Sequence, residues 1–244
     1  MAAAGESRGL SGNTLKIIAA VSMVLDHVGL MFFPKLIVFR ILGRLAFPIF
    51  AFMIAEGCRY TRSRLRYFGG IFALALLCQT VYFFAMRSTD LCILVTFSLS
   101  ILVAFALQDF KASLFNKAAP AAKKLLSGAL LLALLALVWI ISRVAVLDYG
   151  FWGCMCPVFA ALLQPWGEKS PNWSRDPRLH TLMMCLPLVM LTLQMQWVQH
   201  YCFASILLLL LYRGKRGQLN MKYFFYIFYP AHLALLQGIT YLVG

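Results

Sequence analysis

The chain has 244 residues, 62% of them hydrophobic and 12% charged, about half the charged share of an ordinary soluble domain. Its net charge of +14 does not signal a nucleic-acid binder, because the basic residues fall in short connections between apolar runs, where membrane topology already requires them. A mean hydropathy of +0.82, with several runs close to the ~20 apolar residues that cross hydrocarbon, predicts a single integral-membrane domain over 1–244.

The fold class expected is all-α, a polytopic membrane helix bundle, since barrel strands would show short alternating patterns instead of continuous apolar runs. Residues 1–13 are polar and contain Gly and Ser, which predicts a flexible cytoplasmic terminus. No small-residue cleavage site follows the first apolar run, so that run reads as a retained helix. Nine transmembrane helices are predicted, over about 14–33, 36–57, 67–86, 91–108, 125–142, 150–164, 179–194, 198–212 and 222–242. The seventh and eighth are short and flank a polar stretch at 194–200, which suits tilted or partly merged segments.

Alternate connections differ sharply in basic content. One side holds Arg8, Lys16, the group Arg59, Arg62, Arg64 and Arg66, then Lys111 to Lys124, Lys169 to Arg178 and Arg213 to Lys222, whereas the other holds Lys35, Arg87 and Arg143. The positive-inside rule then orients the bundle with its N-terminus cytoplasmic and its C-terminus outside.

Within the first span Asp26 and His27 interrupt an apolar run from Leu15 to Phe33. A carboxylate at a bilayer centre costs roughly 2.5–3.5 kcal/mol, so such residues face protein or a wet cavity and have a partner. The second span returns from the Pro34-Lys35 turn and carries Arg40 and Arg44, one helical turn apart and at matching height. Glu56 falls at the inner end of that span. Asp148-Tyr149-Gly150 opens the sixth span from the outer face, and His232 lies midway along the ninth in Tyr229-Pro230-Ala231-His232.

A histidine with a facing carboxylate is the arrangement of general base catalysis, the acid holding the imidazole and favouring its protonated form. Neighbours on a helix point about 100° apart, so two pairings are open: Asp26 with an arginine, or a carboxylate, Asp26 or Asp148, with His27. Packing alone is the plainer account of an Asp26–Arg44 pair. No metal is expected, because the histidines lack ligand spacing and no zinc motif occurs. Neither a phosphate-binding glycine loop nor a G-x-S-x-G elbow is present. The seven cysteines lie mostly in apolar runs and predict no disulfide framework. Arg59, Arg62 and Arg66 at the cytoplasmic mouth suit the phosphates of an anionic donor, or else anionic lipid headgroups.

The segments Met23-Val24-Leu25-Asp26-His27-Val28-Gly29, Phe33-Pro34, Arg40-Ile41-Leu42-Gly43-Arg44-Leu45-Ala46-Phe47-Pro48, Ala55-Glu56-Gly57, Asp148-Tyr149-Gly150 and Tyr229-Pro230-Ala231-His232 resemble the TraX family. That family is named for the membrane acetylase that modifies the N-terminus of F-type conjugative pilin, and is similar to multi-span acyltransferases that include sugar O-acetylases and the lysosomal heparan N-acetylase. The resemblance implies an integral-membrane acyltransferase of the cell membrane, the inner membrane of a bacterium, with acetyl-CoA supplied from the cytosol. It implies His27 as the catalytic base with Asp26 and Arg44 as its immediate partners. Arg40, Asp148, Tyr149, His232 and Glu56 then line the substrate site, and Arg59, Arg62 and Arg66 hold the donor. The acceptor stays open: a protein N-terminus, a sugar or a small amine. The competing class is a transporter or flippase for an anionic solute, in which Asp26, His27 and the arginines form a relay; the chain shows none of the internal repeats common in transporters.

Overall fold

A computed structural model describes residues 9–85, 87–218 and 221–243; Arg8 and the rest of the expected flexible terminus up to residue 8 lie outside them. Ten α-helices are formed among these residues: α1 Gly12–Met31, α2 Ile37–Gly43, α3 Ala46–Tyr60, α4 Arg64–Ala85, α5 Ile93–Phe115, α6 Ala121–Val144, α7 Gly150–Leu162, α8 Pro177–Gln194, α9 Ala204–Leu210 and α10 Lys222–Val243. Short 3-10 turns occupy Asn172–Arg175 and Trp197–Phe203. No strand is present among the described residues, only two isolated bridges, Leu10 with Tyr212 and Leu91 with Leu147. The protein is an all-helical membrane protein: five segments are long and apolar enough to cross a bilayer, namely α1, α2 with α3, α4, α5 and α6. Helix α7 and the segment Trp197–Leu210 are apolar but shorter.

The second predicted span is broken. Pro48 lacks an N–H, and its ring would collide with the carbonyl four residues back, that of Arg44. The chain accordingly leaves the helix at Arg44 and Leu45, where the Leu45 N–H donates to the carbonyl of Leu42 at 3.4 Å, and α3 restarts at Ala46. The predicted span at 198–212 is likewise a 3-10 turn followed by a seven-residue helix. Its polar residues bond away from a regular ladder: Gln199 turns inward, and His200 Nδ1 meets the carbonyl of Trp197 at 2.8 Å.

The core lies where α3, α5, α7 and α8 meet, around Ile49, Phe52, Ile101, Val103, Cys154, Cys156, Met184 and Leu188, all essentially inaccessible. All seven cysteines are free. Lys111, read from sequence as a loop charge, belongs to α5 and is buried; its ammonium donates to the carbonyls of Ala161, Leu162 and Gln164 at 3.1, 2.7 and 2.6 Å. These carbonyls lie at and just beyond the end of α7, where a cation is favourable. Helix α6 leaves Leu125, Leu126, Leu132 and Trp139 exposed, an apolar face suited to lipid. Helix α10 packs on α1 and α4.

Residues 9–13 are held in place: the N–H of Leu10 donates to Leu211 at 2.7 Å, and those of Gly12 and Asn13 to Lys215 and Arg216, each at 2.9 Å. Ser11 caps α1 by accepting from the N–H of Thr14 at 3.2 Å, as short polar side chains do at helix starts.

Candidate active site

Helices α1 and α2 form a tight antiparallel hairpin whose closeness depends on glycine. A Cβ at Gly29 would strike the side chain of Phe39, and one at Gly43 would strike that of Asp26. With the helices this near, Asp26 receives two guanidiniums. Arg40 Nη1 donates to its Oδ2 at 3.0 Å, and Arg44 Nη2 donates to both carboxylate oxygens. Arg44, 7% exposed, also donates from Nη1 to Gln199 Oε1 at 3.0 Å and from Nε to the carbonyl of Arg40 at 3.3 Å. A buried guanidinium is tolerable when its donors are spent in this way. The break at Arg44 and Leu45 is what frees this side chain from a regular helical face.

Of the two pairings open in the sequence, Asp26 takes the arginines. His27, on the adjacent face of α1, meets His232 of α10 instead. His27 Nδ1 and His232 Nε2 are 3.0 Å apart, and the rings lie nearly parallel with centroids at 5.1 Å. His232 Nδ1 reaches the carbonyl of Phe228 at 2.9 Å, while Phe228 and Tyr229 pack against its ring.

Asp148 and Tyr149 close this end from the α6–α7 connection. The bridge at Leu91 sets their height, the N–H of Asp148 donating to Leu91 at 3.0 Å, and Thr96 Oγ1 donates to the Asp148 carbonyl at 2.7 Å. Tyr149 adopts a left-handed φ of 60°, uncommon for a bulky side chain. Its ring stacks on Phe47 with centroids 3.9 Å apart. Asp148 lies outside the spanning helices, where dense packing around its carboxyl pushes the pKa up to about 6, against the pull of the Arg44 guanidinium.

A cavity of about 670 Å³ runs from this cluster to the opposite end of α1. Asp26, His27, Asp148 and Tyr149 line one end; Asn13, Lys16, Tyr60, Thr61 and Arg216 line the other, with Phe225, Tyr226, Phe228 and Tyr229 of α10 along the side. From Lys16 to His27 the helix rises about 16 Å at 1.5 Å per residue. Arg40 and Arg44 stand behind Asp26 and are not among the lining residues.

The residues expected from sequence to hold a donor divide differently. Arg62 and Arg66 are exposed and do not line the cavity, nor does Arg59. Arg59 sits over the ring of Tyr60 at 4.8 Å, with its Nη1 3.6 Å from Glu56 Oε1. Glu56 borders the cavity but is engaged in a buried knot: Gln164 Nε2 and the Tyr212 hydroxyl each donate to it at 3.2 Å, and His180 Nδ1 lies 3.8 Å away. Sequence reasoning missed Lys16, Asn13, Arg216 and Gln199 as site residues. Membrane topology by itself accounts for the charges of Lys16 and Arg216 in the sequence. Gln199 lay in the polar stretch 194–200, which was the available signal. Among the described residues no group of three or more His, Cys, Asp or Glu is placed to hold a metal ion.

The fold and this cluster define a polytopic helical membrane protein whose internal cavity ends on half-buried carboxyl and imidazole groups. The chain belongs to the TraX family, whose description, "TraX protein", matches residues 11–240. It is 27% identical over 239 residues to the probable fimbrial assembly protein FimC, serogroup H1, of Dichelobacter nodosus, covering 91% of this chain and 92% of that protein. A shorter likeness, 47% over 38 residues, links it to the uncharacterized protein RP591 of Rickettsia prowazekii (strain Madrid E), covering 16% of this chain and 15% of that one. No solved structure matches it.

Proposed function

We propose that this protein is an integral-membrane acyltransferase of the bacterial inner membrane that moves acetyl from acetyl-CoA to an amine or hydroxyl. The observation that carries the reading is one elongated cavity with a histidine at one end and Lys16 and Arg216 at the other. A CoA-type donor has the matching form, with phosphates at one end and a thioester at the end of a narrow arm. Lys16 and Arg216 hold the phosphates, in place of the arginines beyond Tyr60, and the thioester carbonyl lies beside His27. His27 removes a proton from the acceptor as its nitrogen or oxygen attacks the carbonyl carbon. The tetrahedral intermediate collapses by breaking the C–S bond, and the proton held by His27 leaves on the CoA thiol. Asp26, Arg40 and Arg44 fix α1 against α2 so that His27 keeps its place, and Tyr149 with Asp148 bounds the acceptor pocket.

Membership of the TraX family supports an acetyl donor. The likeness to a probable fimbrial assembly protein of Dichelobacter nodosus, joined to the pilin N-terminus for which the family is named, makes the N-terminus of a fimbrial subunit the first acceptor to test. The experiment is a thermal shift of the purified protein with acetyl-CoA and with CoA, joined to a free-thiol assay on adding acceptor peptides. Stabilisation by both, and acceptor-dependent CoA release that His27→Ala abolishes, are expected. Neither stabilisation nor release would instead favour transport of an anionic solute.

A further inference from the structure

The contact between His27 and His232 carries information about protons as well as position. His232 Nδ1 lies 2.9 Å from the carbonyl of Phe228. A carbonyl oxygen only accepts, so Nδ1 of His232 holds a hydrogen. In the neutral ring the other nitrogen, Nε2, then carries a lone pair. That lone pair faces His27 Nδ1 at 3.0 Å, and two lone pairs cannot meet at this distance, so Nδ1 of His27 is the donor. Neutral His27 therefore holds its hydrogen on Nδ1, the nitrogen that meets His232, and an open lone pair on Nε2.

We infer that His232 is a positioning residue that sets the tautomer of His27, presenting His27 Nε2 to the cavity as the proton acceptor. The inference rests on the reading of His27 as the base, and it assigns to a second histidine the orienting task that sequence reasoning gave to a carboxylate. Asp26 is not free for that task, because Arg40 and Arg44 occupy its oxygens. When His27 gains a proton on Nε2, its Nδ1–H still donates to His232 Nε2. The imidazolium charge is then shared toward His232 and the Phe228 carbonyl without a second carboxylate. The arrangement also ties α10 to α1 across 205 residues of sequence, so the base is complete only when α10 lies against α1.

The test is nitrogen NMR on detergent-solubilised protein labelled with ¹⁵N-histidine. The chain has four histidines, and the His27 signals are assigned by their loss in His27→Gln. The wild type is expected to show His27 with a protonated, pyrrole-type Nδ1 and a pyridine-type Nε2. A wild-type His27 protonated on Nε2 overturns the inference without any variant at position 232. In His232→Leu the Nδ1 tautomer should lose its dominance, and kcat should fall by a part of the roughly 10²- to 10⁴-fold that a positioned base contributes, about 10-fold or more, with KM for acetyl-CoA changed less than about twofold. His232→Gln, whose side-chain carbonyl still accepts from Nδ1–H, should restore the tautomer and most of kcat. An unchanged His27 tautomer in folded His232→Leu also overturns it. The two readings fail separately: the stated tautomer without acetyl transfer removes the enzymatic reading alone, and transfer with the opposite tautomer removes this one alone.

Discussion

At the scale of single residues, the site is governed by what a buried charge requires. Arg44 is stable in the interior because Asp26 and Gln199 consume its donors. Removing one partner of such a pair leaves an uncompensated charge and costs about 3–5 kcal/mol. Asp26→Asn is therefore expected to lower thermal stability in detergent by that order, and Asp26→Leu combined with Arg44→Met to recover part of it. A loss under about 1 kcal/mol in the single variant would show that water reaches the pair. Asp148 gives a pH signature. Its carboxyl, raised to about 6, is held more readily as the neutral acid in the folded chain than in the unfolded one. Its contribution is present near pH 4 and is lost as pH rises through about 6. Across that window the wild type should lose melting temperature relative to Asp148→Asn; a constant difference between the two would contradict the assignment.

At the scale of elements, the α1–α2 hairpin depends on two helices approaching more closely than ordinary side chains permit. Replacing an exposed helical glycine by alanine stabilises by about 0.5–1 kcal/mol. Gly69 in α4, where an added Cβ meets nothing within 4 Å, should follow that rule. At Gly43 the same change drives a methyl into Asp26, so Gly43→Ala should destabilise and cut acetyl transfer by moving His27, as parallel melting curves and turnover assays would show. The interruption between α2 and α3 was partly legible in advance, since Pro48 marks a carbonyl that cannot be kept in a helix. What the proline could not announce is that the freed residue, Arg44, would turn toward Gln199, which is 155 residues distant.

At the scale of the whole molecule, the cavity joins a basic mouth to an imidazole through the length of α1, and that continuity ties the charge pattern to chemistry. Lys16→Glu and Arg216→Glu are expected to raise KM for acetyl-CoA at least about tenfold, the equivalent of 1.4 kcal/mol, with kcat nearly unchanged. Arg62→Glu and Arg66→Glu, beyond the cavity, should leave KM within about twofold. Equal effects of all four on KM would move the donor site back to the exposed cluster. The asymmetry of Lys and Arg predicts nine crossings, which reporters fused after successive helices test: a periplasmic reporter after residue 244 should be active and a cytoplasmic one silent.

The sequence by itself determined the membrane class, the approximate limits of most of the helices, and the common height along the first hairpin at which Asp26 meets Arg40 and Arg44. Hydropathy and basic residues act on each segment without reference to where the others go, and a short turn brings the first two spans to a common height. Only the tertiary structure decided which groups pair. Asp26 goes to the arginines because Gly29 and Gly43 let α1 and α2 close. His27 goes to His232 because α10 returns to pack on α1. Contacts of that kind are set by the distances between helix axes and by the competition of several donors for one acceptor, and neither quantity is written in any single stretch of the chain.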